Sequence, residues 1–299
     1  MVHAAWEAGI RYFDTAPYYG HGLSEARLGA ALRWYPRDEY VLSTKVGRVL
    51  KAKPRREIDF SPWVDGLPFE LHFDYSYDGT MRSIEDSLQR LGTERIDIAF
   101  IHDCDVFTHG AQRQPGYFEE AMEGAWRALA RLRAEGVVKA VGVGVNEWQV
   151  CEQALRRRDF DCFLLAGRYT LLEQDSLDTF LPLCESRDVA IVLGGGYNSG
   201  ILATGAVEGA KYNYGPAPEP ILKRTREIEE ICRAHGVSLK AAALQFVLAH
   251  PAITTNIPGT RSTKQLQENL DTFREVIPSS FWADLKSRRL LRSDAPVPG

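Results

Sequence analysis

Short, almost continuously apolar runs alternate with longer amphipathic stretches from one end of the chain to the other. The runs IRYFDTA (10–16), YVLSTKVG (40–47), RIDIAFIHD (95–103), AVGVGVN (140–146), CFLLAGRY (162–169), AIVLGGG (190–196) and ITTNIPG (253–259) read as strands. Apolar residues on both faces of a strand belong in a parallel sheet covered by helices. Between them, Thr80 is placed to cap a helix carrying Met81, Ile84, Leu88 and Leu91 at helical spacing and left at Gly92. The stretch YFEEAMEGAWRALARLRAEG predicts a second helix ending at Gly136, with Arg131 and Arg133 where the helix dipole favours cations. ILKRTREIEEICRAHG and SLKAAALQFVLAH predict two more, the last stopped by Pro251. Residues 48–78 and 203–219, rich in Pro, Gly and aromatics, break the rhythm and read as long loops over one face.

Strand and helix repeating over this length predict an α/β chain of the closed (β/α)8 TIM-barrel type. An open dinucleotide-binding sheet is disfavoured because no G-x-G-x-x-G opens the first helix. VGVGVNEW offers Gly142 and Gly144 without a third glycine in register, so it reads as a tight strand exit. The opening VHAAWEAG reads as the first helix, so a single barrel domain over 1–299 is expected, N-terminally incomplete and lacking its first strand. Either the natural start then lies upstream of Met1, or the isolated chain forms an open and poorly stable barrel.

Composition narrows the class. The 299 residues are 44% hydrophobic and 25% charged with net charge −4, as in a soluble globular enzyme. KAKPRR (51–56) is the one short basic run, which gives no case for nucleic acid or an acidic membrane as partner. Cys104, Cys151, Cys162, Cys184 and Cys232 are odd in number and lack C-x-x-C spacing, which points to reduced thiols and a cytoplasmic protein. No apolar run spans a bilayer and the N-terminus lacks a signal pattern.

In a barrel, the chemistry sits at the strand exits: here Asp14, Lys45, His102, Asn146, Tyr169, Gly194 to Gly196 and Gly259. The YYGHG turn is placed to carry Tyr19 back over the mouth. A phenol, with its pKa of about 10, needs a nearby cation to reach the phenolate. Lys45 supplies one, Asp14 pairs with Lys45, and His102 hydrogen-bonds the substrate oxygen. This is proton transfer at a carbonyl or alcohol and requires a hydride partner such as a nicotinamide. His102, Asp103, Cys104, Asp105 and His109 are all metal-ligand types, but strand neighbours point to opposite faces, so no metal site is expected. Tyr18 reads as a pocket wall, Trp126 and Trp148 as packing residues with Trp148 near the pocket, and Cys104 and Cys162 as small apolar fillers. KYNYGPAPEP, with Tyr212 and Tyr214, reads as a lid, a subunit contact or a plain rigid loop.

FDTAPYYG, VLSTKVG, IDIAFIHD and IPGTRSTKQLQEN, in that order, resemble the aldo-keto reductase superfamily over the whole chain. LAGRYTLLEQ, GVGVNEW, GGGYNSGIL and YNYGPAPEP resemble its branch of D-threo-aldose (L-fucose), L-galactose and pyridoxal dehydrogenases. The resemblance implies a catalytic set of Asp14, Tyr19 rather than Tyr18, Lys45 and His102. It places the nicotinamide carboxamide on Asn146 and the pyrophosphate on Asn198, Ser199, Gly200 and Leu202. The adenosine end falls on Gly259, Thr260, Arg261, Gln265, Glu268 and Asn269. Backbone N–H groups in a glycine-rich turn suit a pyrophosphate on physical grounds as well. Gly259 and Gln265 stand where NADPH-specific relatives carry Lys and Arg, so NAD is expected, with NADP left open through Arg261. The family's glutamine on the sixth strand is replaced, at Ala166. The implied reaction is oxidation of the hemiacetal C1 hydroxyl of an aldose of the L-fucose, L-galactose or D-arabinose type to a lactone. The alternative is oxidation of pyridoxal to 4-pyridoxolactone; a non-catalytic nucleotide-binding barrel subunit is the rival of another class. The oligomeric state is not legible.

Overall fold

The computed structural model describes residues 1–299. In chain order its elements are α1 (Val2–Glu7), β1 (Tyr12–Asp14), α2 (Leu23–Leu32), β2 (Val41–Val46), β3 (Arg48–Ala52), β4 (Phe69–Phe73), α3 (Tyr77–Leu91), β5 (Ile98–His102), α4 (Val106–Glu120), α5 (Trp126–Ala134), β6 (Ala140–Val145) and α6 (Trp148–Arg157). They continue with β7 (Cys162–Ala166), α7 (Phe180–Ser186), β8 (Ala190–Gly194), α8 (Ile201–Thr204), β9 (Lys211–Tyr212), β10 (Gly215–Pro216), α9 (Glu219–His235), α10 (Leu239–Leu248), β11 (Ile253–Ile257), α11 (Thr263–Arg274) and α12 (Ser279–Ser287). All seven predicted strands form, in the sheet order β1-β2-β5-β6-β7-β8-β11. The pairings β1 to β2, β2 to β5, β5 to β6 and β8 to β11 are parallel. The chain divides into two compact units: residues 1–145 with 153–163, and residues 146–152 with 164–299.

In the first unit, β5 is sandwiched between β2 and β6, and Ala99, Phe100 and Ile101 are fully buried. That is why the run reads as continuously apolar. Gly142 lies inside β6 rather than in a turn: a Cβ there would stand 2.3 Å from the Cys162 carbonyl oxygen and 2.8 Å from the Phe100 ring. The glycine is required by close packing, which accounts for the G-x-G in VGVGVNEW without a nucleotide.

Helix starts differ from the predicted ones. Ser76, not Thr80, caps α3, its Oγ accepting from the Gly79 N–H at 3.0 Å, and Thr80 is buried within the helix. Asp74 fixes that cap by accepting from the Ser76 hydroxyl at 2.5 Å. The helix leaves at Gly92 (φ 62°), as predicted. Helical structure before Gly136 begins earlier than predicted: Asp105, accepting from the Thr108 N–H at 3.0 Å, caps a short turn from Val106, and the helix resumes after a break at Gly110 (φ 72°, ψ 153°). It then widens into a π turn over residues 121–125, where Gly124 backs onto the Tyr75 carbonyl.

The region 48–78 is not simply a loop. β3 and β4 form an antiparallel hairpin in which Arg48 faces Phe73 and Ala52 faces Phe69. Gly47 (φ 99°) turns the chain from β2 into it. Region 203–219 likewise contains the two-residue pair β9 and β10. In the second unit, fully buried Ile191 and Leu193 of β8 and residues 241–244 of α10 belong to the core. Tyr169, a strand-exit candidate, is buried in that core against Phe246, with ring centres 5.0 Å apart. The five cysteines are buried free thiols. No helix is long and apolar enough to cross a membrane.

Candidate active site

The first unit brings the four predicted catalytic residues together. Parallel pairing of β1 with β2 sets Asp14 opposite Ser43, two residues before Lys45. Asp14 accepts from Lys45 Nζ at 2.6 Å on one carboxylate oxygen and from the Ser43 hydroxyl at 2.6 Å on the other. Lys45 Nζ also donates to the Thr15 carbonyl at 2.8 Å, and the residue is only 1% exposed. Burial works against the ammonium, but Asp14 and Tyr19 outweigh it and hold the Lys45 pKa above its usual value. The lysine is therefore a buried, fully paired cation.

Residues 20–22 all take positive φ (Gly20 63°, His21 53°, Gly22 92°), which turns the chain back directly after Tyr19. The centre of the Tyr19 ring lies 4.7 Å from Lys45 Nζ and 6.0 Å from the His102 ring, which meets it edge-on. Burial pushes the phenol pKa up, Lys45 pulls it down, and Asp14 pushes it up again; the net value lies above 10. Lys45 acts on Tyr19 in the expected direction, toward the phenolate, while burial sets the net shift upward. Lys45 offsets part of the burial cost without overcoming it.

His102 ends β5 and is 6% exposed. Burial, then the cations Arg48 and Lys45, hold its pKa well below the ordinary value, so the imidazole is neutral. Asp103, just beyond the strand, adopts φ 53° and swings its carboxylate to 3.4 Å from His102 Nε2. The opposite-face argument used against these neighbours sharing a ligand therefore does not apply, because the strand has already ended. No three His, Cys, Asp or Glu side chains are placed to share a metal ion. Asp103 instead accepts from Arg48 Nη2 at 2.8 Å. The Arg48 guanidinium lies 4.5 Å from the Tyr18 ring centre and 4.7 Å from that of Phe73. Tyr18 packs edge-on against both Trp63 and His102, at 5.3 and 6.1 Å, as a wall residue does. Arg48 and Trp63 escaped the sequence reading because the β3–β4 hairpin brings them in; Arg48 in KVGR, directly after a turn glycine, was the available signal.

The second unit holds the residues assigned to the cofactor. Asn198, Ser199 and Gly200 are consecutive left-handed residues (φ 44°, 59° and 107°) that open α8, a backbone shape suited to an anion. The Asn198 side chain is already engaged: it accepts from the Thr170 hydroxyl and donates to the Gly167 carbonyl at 3.0 Å. Leu202 is fully buried in α8. Tyr214 donates its hydroxyl to Asn146 Oδ1 at 2.9 Å, and its N–H to the Ser199 hydroxyl at 2.9 Å. The Tyr197 hydroxyl donates to Asn269 Oδ1 at 2.9 Å. Gln265 accepts from the Arg261 N–H at 2.8 Å, and Glu268 pairs with Lys240 at 3.1 Å. Thr260 follows Gly259 in the turn before α11, whose cap is Ser262. At the end of β11, the Asn256 side-chain amide is buried with neither polar atom hydrogen-bonded, beside Gly196. An orphaned amide next to a left-handed run of backbone fits a polar dinucleotide, and sequence reasoning missed it.

Residues 1–289 match the aldo/keto reductase family. The chain belongs to that family and is an oxidoreductase that works with a nicotinamide cofactor. It is 44% identical to pyridoxal 4-dehydrogenase of Microbacterium luteolum over 301 residues, covering 97% of this chain and 87% of that protein. It is 40% identical to D-threo-aldose 1-dehydrogenase of a Pseudomonas species over 301 residues, with the same shares covered. The fold matches aldo-keto reductase AKR11C1 from Bacillus halodurans in its holo form, with TM-score 0.72 at 22% identity over 98% of this chain and 86% of that one. The architecture is therefore the family's (β/α)8 barrel type, of which this chain supplies seven strands.

Proposed function

We propose that the protein oxidises the hemiacetal C1 hydroxyl of an aldose to the lactone, with NAD as the preferred acceptor. The observation that carries this reading is the assembly of Asp14, Lys45, Tyr19 and His102 in one unit. Asp14 and Ser43 hold Lys45 so that its charge bears on the Tyr19 phenol. Neutral His102 donates an N–H to the reacting oxygen, and Tyr19, as phenolate, takes the hydroxyl proton. A bound nicotinamide supplies the hydride acceptor. Asn146 would hold its carboxamide, residues 198–200 its pyrophosphate and residues 259–269 its adenosine end. NAD is favoured because Gly259 and Gln265 offer no cation to a 2′-phosphate, and the Gln265 carbonyl is taken by the Arg261 backbone.

Pyridoxal is the second reading, favoured by the 44% relative. It also closes to an internal hemiacetal, so the same four residues serve it. Initial rates of NADH or NADPH appearance with L-fucose, L-galactose, D-arabinose and pyridoxal, each with NAD and NADP, test the proposal. Aldose oxidation with NAD is the expected result. Turnover of pyridoxal alone would replace the first reading by the second, and turnover of neither would refute both.

A further inference from the structure

The pair formed by Arg48 and Asp103 has no part in the proton transfer described above, yet it stands beside His102. Arg48 is 7% exposed, and its Nη1 is buried without a hydrogen-bond partner. A buried guanidinium donor left without a partner is costly. Stacking of Tyr18 and Phe73 on the guanidinium fixes its plane, so this donor cannot swing out to water. Asp103 bonds Arg48 through Oδ2 alone, and its Oδ1 accepts nothing. That same Oδ2 stops 3.4 Å from His102 Nε2 without forming a hydrogen bond to it. The pair that approaches the imidazole through Oδ2 therefore keeps one acceptor, Oδ1, and one buried donor, Arg48 Nη1, without protein partners.

We infer that Asp103 and Arg48 are specificity residues that read the hydroxyl on the carbon adjacent to the reacting one, Asp103 accepting its proton in a hydrogen bond and Arg48 donating to its oxygen. The inference rests on the proposed hemiacetal oxidation and deepens it. A hydroxyl is both donor and acceptor, so it can use both halves of a carboxylate–guanidinium pair without disturbing its net charge. In an aldose that group is the C2 hydroxyl. A charge-assisted hydrogen bond of this kind is worth about 1.5–3 kcal/mol, or about 10- to 100-fold in kcat/KM.

The test compares L-fucose with 2-deoxy-L-fucose in wild type, in Asp103→Asn and in the double variant Asp103→Asn/Arg48→Gln, which leaves no unpaired buried charge. kcat/KM and calorimetric affinity are measured for both sugars. Wild type should prefer L-fucose by about tenfold or more, and both variants should shrink that preference to within about threefold. The ratio between two sugars cancels any loss of folded enzyme. Equal turnover of the two sugars by wild type, or an equal loss on both in the variants, would overturn the inference and leave the pair a mere support for His102. Binding preference without oxidation would uphold the pair and refute the proposed function. Absence of both binding and turnover would overturn the two together.

Discussion

Replacing Lys45 by methionine tests the electrostatic core of the site. Lys45 Nζ and Asp14 stand 2.6 Å apart, which at an effective dielectric of 20 corresponds to about 6 kcal/mol of attraction. Desolvation of two buried charges consumes most of that gain, so the intact pair contributes little net stability. Removing one partner is another matter, because the survivor stays buried without compensation, at about 3–5 kcal/mol. Lys45→Met should therefore lower the melting temperature by roughly 5–8 °C in a chain of this size, and Asp14→Asn by a similar amount. The double variant should recover most of the loss, with a coupling energy of about 3 kcal/mol in urea melts at pH 7.5. All three variants should be inactive, since the phenol loses its cation in the first and third, and a correctly held cation in the second.

The pH dependence sharpens the test. In wild type the Lys45 pKa is raised, so the stability it contributes is fully present at neutral pH and is lost only as pH climbs through a value above the usual lysine range. In Asp14→Asn the lysine is buried without its acid and its pKa drops, so stability should rise from pH 7.5 to 9.5 as the folded lysine sheds a proton that the unfolded chain still holds. A double variant no more stable than the weaker single one, or Lys45→Met melting within a degree of wild type, would refute the buried ion pair.

Tyr19→Phe should reduce kcat by about 10²- to 10⁴-fold while leaving the NAD dissociation constant unchanged in a fluorescence titration; retained turnover would assign the proton to another group. Because the Tyr19 pKa lies above 10, kcat/KM for oxidation should rise about tenfold per pH unit from pH 7 to 9, and a plateau in that window would contradict it. His102 is held neutral in the fold but charges near pH 6.5 when unfolded. Its contribution to stability is therefore complete above pH 6.5 and falls by up to about 1.4 kcal/mol per pH unit below it. Urea melts at pH 7.5, 6.0 and 5.0 check this, and it fails if stability is flat. Gly47→Ala would place a Cβ 2.3 Å from the Tyr75 ring at φ 99°, so it should cost at least about 1–3 kcal/mol in melting and reduce activity by displacing Arg48. A silent substitution would mean the β2–β3 turn does not position the guanidinium.

What was legible in the sequence follows from which forces act locally. The seven strands could be read because burial on both faces leaves a continuous apolar signature, and Asp14, Lys45 and His102 could be read because parallel strands deliver their last residues to one end. Helix caps were misread where a side chain outside the helix decides the start, as Asp74 does for Ser76. Lys45's pull on Tyr19 could be read from the sequence, but the larger upward push of burial could not, because pairing is visible in residue types whereas desolvation is not. The β3–β4 hairpin was read as loop because its inner residues, Val49 and Leu50, are few and its outer ones, Lys51 to Arg56, look like solvated chain.

That last omission bears on specificity. Of the four residues proposed for proton transfer, Asp14, Lys45 and His102 come from strand ends that the barrel type places in a fixed order, so their identities are enough to locate them. Arg48 is positioned differently: Gly47 reverses the chain, the hairpin stacks the guanidinium between Tyr18 and Phe73, and a left-handed Asp103 turns back to meet it. Each step depends on a backbone dihedral rather than on a residue type. A chain can therefore keep its acid, lysine, tyrosine and histidine while changing what it accepts, simply by altering the hairpin that follows the second strand.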